Sequence, residues 1–466
     1  MHPVLLIDFG STCTKVCAVD TDERRVIGSA QAFTTAATDI ALGLETATAQ
    51  LRQITGPLDY KARLACSSAA GGLRMVACGL VPALTSKAAR FAAFGAGAKV
   101  IKTYAYELTR DDAQEIRRIA PDILLLVGGT DGGNGDVVTK NARVIAGIEM
   151  DFPVVYAGNR AAKEECIRIL SDSTHAVHTA PNVMPVFGSI DVQPVQLVLR
   201  DIFLKKIIHC KGLSKTEALL DGILMPTPAA VMAALSLLSG GTQSKKGIGE
   251  LVAVDLGGAT TDVYSIASGL PTRAGTFLHG ISESYIKRTV EGDIGMRFSA
   301  RGVVESAGMA ELLRLSGLSE DKAAMLLKNI AQDPSVLPRD KDEQALDFAL
   351  AVLAIRLGIT RHSGTLQEIY TPVGPMYQQV GKDLSQIDRV ILTGGALIYS
   401  DNYAAIAREA VQVSDPSALI PRKFALIRDH GYILSAMGLL AGCDQDAAFE
   451  ILIQNFGKEE AYAACQ

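Results

Sequence analysis

A short pattern occurs twice, about half the chain apart. Residues 4–17 read Val-Leu-Leu-Ile-Asp8-Phe-Gly10-Ser11-Thr12-Cys13-Thr14-Lys15-Val-Cys, and residues 251–264 read Leu-Val-Ala-Val-Asp255-Leu-Gly257-Gly258-Ala259-Thr260-Thr261-Asp262-Val-Tyr. Each copy is an apolar run ending in aspartate, a glycine-rich polar turn and a second apolar run. That predicts a β-hairpin with a carboxylate at the end of its first strand. Two such hairpins, one in each half, make a clamp for a polyphosphate. Glycine lets turn N–H groups approach phosphate oxygens closely. Asp8 and Asp255 are placed to hold a Mg²⁺ through its waters, because Mg²⁺ keeps several waters and takes few carboxylates. The second copy carries Asp262 where the first carries Lys15, so one half offers a cation and the other offers acids.

The length of 466 residues suggests two to four folding units, and 48% apolar residues are ample for their cores. Net charge is −5 without a basic stripe, which argues against a nucleic-acid partner. The N-terminal Met-His-Pro-Val-Leu-Leu-Ile-Asp lacks a basic segment and a small-residue cleavage site, and reads as a strand rather than a signal peptide. No apolar stretch has the length of a membrane helix, so the expected compartment is the cytosol. Cysteines stand at 13, 17, 66, 78, 166, 210, 443 and 465 without a Cys-x-x-Cys, as expected of buried reduced thiols, with an iron–sulfur cluster shared between subunits as the alternative. His175-x-x-His178 could ligate a metal on a helix, but its neighbours read as a strand and a metal site needs more than two ligands, so surface or core histidines are expected.

After a predicted strand at Val26–Phe33 and a helix across Asp39–Gln53, the pattern changes. Short strands at Ala62–Ser68, Lys99–Ala105, Ile123–Val127, Pro153–Ala157 and Ala176–Thr179 alternate with helices at Thr85–Gly95, Asp111–Ala120, Asp136–Gly147 and Arg160–Leu170. Such alternation argues for a parallel sheet with right-handed crossovers, here an α/β unit over about 61–185 inserted in, or extending, a first lobe of 1–240. Helices are expected at Leu197–Ile208 and Thr227–Leu238, and a Gly-rich linker at 239–249 opens a second lobe, 241–466. In that lobe we expect a helix at Ser282–Thr289, mainly helical structure from 301 to 370, a solvated loop at 337–343 and a short helix from 443. Arg389-Val-Ile-Leu-Thr-Gly394-Gly395-Ala396 reads as a strand entering a Gly pair against which a nucleoside could pack. The Gly128-Gly129-Thr130-Asp131-Gly-Gly-Asn134 loop follows an apolar strand, where ligands sit in α/β sheets; a tight crossover explains it equally.

The two hairpins and the Gly394 segment resemble, in order and spacing, the phosphate-1, phosphate-2 and adenosine motifs of the actin, DnaK-type chaperone and sugar kinase superfamily. The resemblance implies an α/β fold with two ribonuclease H-like lobes. It implies contacts to ATP from Gly10, Ser11, Thr12, Lys15, Gly257, Gly258, Ala259, Thr260, Thr261, Gly394, Gly395 and Ala396. Lys15 would reach the terminal phosphates, Asp8 and Asp255 would hold Mg²⁺, and Asp262 would help the metal or orient the attacking water. Four further segments, Ser67-Ser-Ala-Ala-Gly-Gly-Leu-Arg74-Met-Val-Ala, Gly95-Ala-Gly-Ala-Lys-Val, Leu125-Leu-Val-Gly-Gly-Thr-Asp131-Gly-Gly-Asn134 and Glu291-Gly-Asp-Ile-Gly-Met-Arg297, resemble the MutL-type accessory proteins of glutamate mutase (methylaspartate mutase). That resemblance implies a slow ATPase acting as a reactivating chaperone for an adenosylcobalamin-dependent mutase or aminomutase, promoting exchange of damaged cobalamin. Arg297 would touch nucleotide or lobe, or form a surface salt bridge. Rival readings are a small-molecule kinase or hydantoinase/oxoprolinase-type enzyme of the same fold, the activator ATPase of 2-hydroxyacyl-CoA dehydratases, and an actin-like filament protein. No acid or base for a further substrate stands out, and oligomeric state is left open.

Overall fold

The computed structural model describes residues 3–464 except 11, 35–39, 69–72, 94–97, 188, 211–222, 281, 373, 414 and 458–460. The chain divides into one unit of Met1–Thr34, Leu44–Leu64 and Ala230–Gln466, and a second of Thr35–Gly43 and Ala65–Ala229.

In the first unit, strand β1 (Pro3–Phe9) pairs antiparallel with β2 (Cys13–Asp20), and β2 with β3 (Arg25–Phe33). Strand β4 (Ala62–Ser67) adds on the other side of β1. Every residue of β1 is buried, Asp8 included, as the apolar run before it requires of a strand covered on both faces. A second sheet repeats the plan. Strands β11 (Leu251–Leu256), β12 (Thr261–Ile266) and β14 (Ile286–Glu291) form an antiparallel meander. On the other side of β11, β17 (Arg389–Thr393) and β18 (Lys423–Arg428) add in parallel, and β19 (Ala461–Ala464) closes the edge antiparallel. The order β3-β2-β1-β4 thus recurs as β14-β12-β11-β17. A meander extended by parallel strands beyond its first member is the ribonuclease H-like sheet. The sequence repeat is therefore a repeat of whole sheets, the organisation of the actin-like fold.

The Lys341–His362 helix lies in the core of the second half, with Leu346, Leu350, Leu353, Ile355 and Ile359 all buried. Its apolar residues surround the axis because it is covered on all sides. Two further helices, Thr227–Gly240 and Leu434–Ala441, cross at backbone contact: a Cβ on Gly438 would stand 1.8 Å from the Ala230 carbonyl oxygen. A small three-stranded sheet, β13 (Thr276–Leu278), β16 (Gly374–Val380) and β15 (Thr365–Thr371), completes the unit.

The second unit holds a five-stranded, fully parallel sheet: β5 (Leu73–Gly79), β6 (Ala98–Ala105), β7 (Ile123–Leu126), β8 (Val154–Tyr156) and β9 (Val177–Thr179), in the order β6-β5-β7-β8-β9. Helices alternate with these strands, giving a doubly wound arrangement whose order reverses between β5 and β7. Strand β10 (Ile223–Pro226) pairs in parallel with the end of β4.

Several elements differ from expectation. Ser282–Thr289 is not a helix; Ile286-Lys-Arg-Thr-Val is strand β14, fixed by pairing to β12. The inner strand β5 was not anticipated, since Leu-Arg-Met-Val-Ala-Cys-Gly follows directly on a Gly-rich segment. The helical stretch ends at His362 and gives way to β15. The loop from 337 ends where Asp340 caps the next helix through Glu343 N. The tail continues past its Gln445–Phe456 helix into β19. Asp39, Gly95 and the 69–72 glycines lie outside the described residues.

Candidate nucleotide site

Both hairpin turns are closed by their own backbones. Gly10 N donates to Cys13 O at 3.1 Å, and Gly257 N donates to Thr260 O at 2.9 Å. A Cβ at Gly10 would lie 2.5 Å from the Cys13 oxygen, so only glycine fits. Ser11 lies outside the described residues. The second turn is buttressed from behind by the 291–297 segment: Met296 N donates to Gly257 O and Arg297 N to Gly258 O. The Arg297 guanidinium is bidentate to Asp347, at 3.0 and 2.6 Å. Arg297 therefore braces the turn from within a shielded ion pair. The two turns meet, with Thr12 Oγ1 only 3.4 Å from where a Cβ on Gly258 would stand.

At the third element, Thr393 stands beside Asp255 in the parallel register. Gly394 follows with φ +95°, and a Cβ there would lie 2.3 Å from Leu256 O. Gly395 and Ala396 open a one-turn helix, and nothing lies within 4 Å of a Cβ on Gly395. All the described residues expected to contact nucleotide belong to the first unit.

Charge converges between the turns. Lys15 lies opposite Asp8 in the register, with Nζ 3.3 Å from Asp8 Oδ2. Ser435 Oγ, from the Leu434–Ala441 helix, donates to the same oxygen at 3.0 Å. Tyr432 covers Lys15, its ring centroid 3.4 Å from Nζ. Burial works against the Lys15 charge, but Tyr432, Asp8 and Asp255 outweigh it and hold the ammonium well above its ordinary pKa. Asp262 is engaged by Arg288, whose Nε and Nη2 approach Oδ1 at 2.7 and 2.5 Å, while Thr260 Oγ1 donates to Oδ2. Asp429 is buried and accepts from Thr393 Oγ1, Ile433 N and Leu434 N. Burial still pushes its carboxyl above the usual range.

Asp255 is the carboxylate left over. Burial, followed by the Asp262, Asp8 and Asp429 charges, pushes its pKa up to about 7 despite Lys15. Negative charge in excess of local cations suits a divalent ion. Among the described residues no three His, Cys, Asp or Glu side chains group closely enough to hold a metal directly. An ion here would keep waters, as Mg²⁺ does. Beside the site is a cavity of about 260 Å³, whose lining includes Asp8, Lys15, Gln31, Tyr399, Tyr432 and Ser435.

Arg288, Asp429, Tyr432 and Ser435 were missed by the sequence reading. Asp429 carried a signal: like Asp8 and Asp255 it follows an apolar strand. Arg288 sits on the strand misread as helix. In the second unit, the Gly128–Asn134 loop is bonded internally and to its neighbours. Asp131 Oδ1 accepts from Arg160 N and Asn182 Nδ2, both at 2.9 Å, and Asn159 bonds Gly132 and Gly133. Its glycines relieve crowding, since a Cβ on Gly129 (φ +74°) would lie 2.5 Å from Asn134 O. His175 is a core residue, stacked on Phe152 and 3.0 Å from Ile145 O.

Solved structures that align with the chain include the activator of 2-hydroxyisocaproyl-CoA dehydratase from Clostridium difficile with bound ADPNP (8% identity, TM-score 0.35, 98% of this chain and 99% of that one). Glycerol kinase from Plasmodium falciparum with ADP also aligns (9% identity, TM-score 0.37, 100% and 94%). Those scores carry no functional weight. Protein MutL of Clostridium tetanomorphum is 42% identical over 455 residues, covering 97% of this chain and 98% of that protein. The family model described as MutL protein matches residues 4–456, and the chain belongs to that family.

Proposed function

We propose that this protein is an ATP-dependent accessory factor that reactivates an adenosylcobalamin-dependent mutase, glutamate mutase or a related aminomutase, by promoting exchange of damaged cobalamin. The observation that carries this reading is the facing pair of aspartate hairpins, with Asp255 uncompensated, in a chain of the MutL family. The turn backbones at Gly10–Thr12 and Gly257–Thr261 cradle phosphates, Lys15 neutralises the terminal one, and Gly394–Ala396 admit the nucleoside. Asp8 and Asp255 would hold Mg²⁺ through its waters; when bound, that ion supplies further charge neutralisation. Asp262, steadied by Arg288, borders the same space and orients water. Nucleotide held by both hairpins biases the affinity of one half for the other, and partner binding follows by differential affinity.

The test is reactivation. A mutase inactivated with a cobalamin lacking the adenosyl group is incubated with this protein and Mg-ATP. Release of the damaged cobalamin and regained turnover with fresh adenosylcobalamin are expected, with a non-hydrolysable analogue failing to support repeated rounds. If glutamate mutase and the aminomutases all stay inactive while a small metabolite is phosphorylated or hydrolysed, the enzyme reading replaces this one. We assign partner recognition to the second unit. Asp131→Ala with Asn134→Ala should weaken mutase association and spare ATP binding; loss of ATP binding would reverse that assignment.

A further inference from the structure

The turn joining β18 to the Leu434–Ala441 helix carries a residue in an uncommon backbone conformation against the most important cation of the site. Tyr432 has φ +51°, in the left-handed region that side-chain-bearing residues rarely adopt. The turn is held tightly: Tyr432 N donates to Asp429 O at 3.0 Å, and the Asp429 carboxylate accepts from Ile433 N and Leu434 N. The ring rests on the Lys15 ammonium, 3.4 Å from Nζ to centroid, and lines the cavity that Asp8 and Lys15 also line. Three residues on, Ser435 bonds Asp8, the other group on Lys15. Backbone strain retained at a binding site marks a position held there by its surroundings.

The geometry points to Tyr432 as a displaceable plug that competes with the terminal phosphate of the nucleotide for Lys15. This rests on the nucleotide reading of the site. A phosphate reaching the ammonium needs the face that the aromatic ring covers. A ring leaving Lys15 frees the side chain of a residue two positions before the helix that is bonded to Asp8. ATP, with its terminal phosphate at Lys15, displaces the ring; ADP, one phosphate shorter, leaves it in place. Tyr432 would thus report the phosphate count to the Leu434–Ala441 helix.

The chain contains no tryptophan, so Tyr432→Trp introduces a single indole at the position to be read. Its emission should shift on adding Mg-ATP and stay near the nucleotide-free value with Mg-ADP. Calorimetry of variants supplies the second arm. Removing the competing ring in Tyr432→Ala should tighten Mg-ATP binding by roughly 2- to 30-fold, the range spanned by a cation–π contact, and leave Mg-ADP affinity unchanged. Tyr432→Phe, which keeps the ring, should bind like the parent. Weaker ATP binding by Tyr432→Ala would make the ring a nucleotide contact and overturn the plug, as would equal affinities in parent and variant; the nucleotide reading survives both. Absence of nucleotide binding in every variant, Tyr432→Ala included, overturns both readings together.

Discussion

The two hairpins share a backbone and differ in where each keeps its positive charge. In the first, Lys15 stands directly across from the aspartate that ends the strand. In the second, the residue across from Asp255 is another acid, Asp262, and the cation comes from the third strand as Arg288. Asp8 is therefore paired within its own hairpin, Asp262 is paired one strand further out, and Asp255 is left with an unmatched charge. A duplicated sheet has become two unequal half-sites by moving one charge from the second strand to the third. The half with the lysine is suited to phosphate, and the half with the spare carboxylate is suited to metal.

The strongest way to break this comparison is to remove the spare acid. Asp255→Ala should lower Mg²⁺-dependent ATP turnover on the order of 100-fold, the scale of losing a preorganised electrostatic group. Asp8→Ala should fall in the same direction; parental steady-state rates in both variants would end the two-hairpin reading. Next comes Asp262→Asn, which leaves Arg288 buried without its counter-charge. A loss of about 3 kcal/mol in denaturant unfolding is expected of a broken buried pair, together with reduced turnover and nearer-normal binding. Replacing both residues by apolar ones should recover much of that stability; if the double variant is no better than the single, Arg288 is not the cause. Lys15→Ala is milder. Discrimination of ATP over ADP should drop about 10-fold, within the range for one hydrogen bond to a charged group, as read by calorimetry with both nucleotides.

A further effect is in pH. The Asp255 carboxyl titrates near 7 in the folded chain and near the ordinary aspartate value of 3.8 when unfolded. Between those values the folded state holds a proton that the unfolded state has lost, so this group's contribution to stability falls as pH rises and is gone above about 7. Asp255→Asn should therefore flatten the decline in Tm between pH 5 and pH 8 in metal-free buffer. Mg²⁺ should stabilise the parent more at pH 8 than at pH 6; equal stabilisation at both would argue that the ion does not bind at Asp255.

Much of this contrast was legible in the sequence. Asp-x-Gly hairpins announce themselves through apolar runs and turn glycines, and the exchange of Lys15 for Asp262 is visible by laying one copy on the other. Gly394 was legible for the same reason, since a close backbone approach leaves glycine as its trace. The groups that finish the site were harder to see. Arg288 lies on a strand, Ile-Lys-Arg-Thr-Val-Glu, whose apolar residues four apart fit an amphipathic helix locally; pairing with β12 decides the matter. Tyr432 and Ser435 sit on a turn and helix with no motif of their own, and their meaning comes from contacts to residues more than four hundred positions earlier. Strand β5 was hidden by the Gly-rich segment it follows, although it is an inner strand of its sheet, between β6 and β7.

That separation along the chain has a consequence for biosynthesis. Asp8 and Lys15 leave the ribosome before Asp255 and Asp262, and Tyr432 and Ser435 after both. A nascent or truncated chain stopping short of the Leu434–Ala441 helix would contain all three recognisable motifs and still lack the hydroxyl that steadies Asp8 and the ring that covers Lys15. Fragments of this protein should thus be judged by the Leu434–Ala441 helix rather than by their motifs. Of the four carboxylates of the site, Asp8 waits longest for its neighbours.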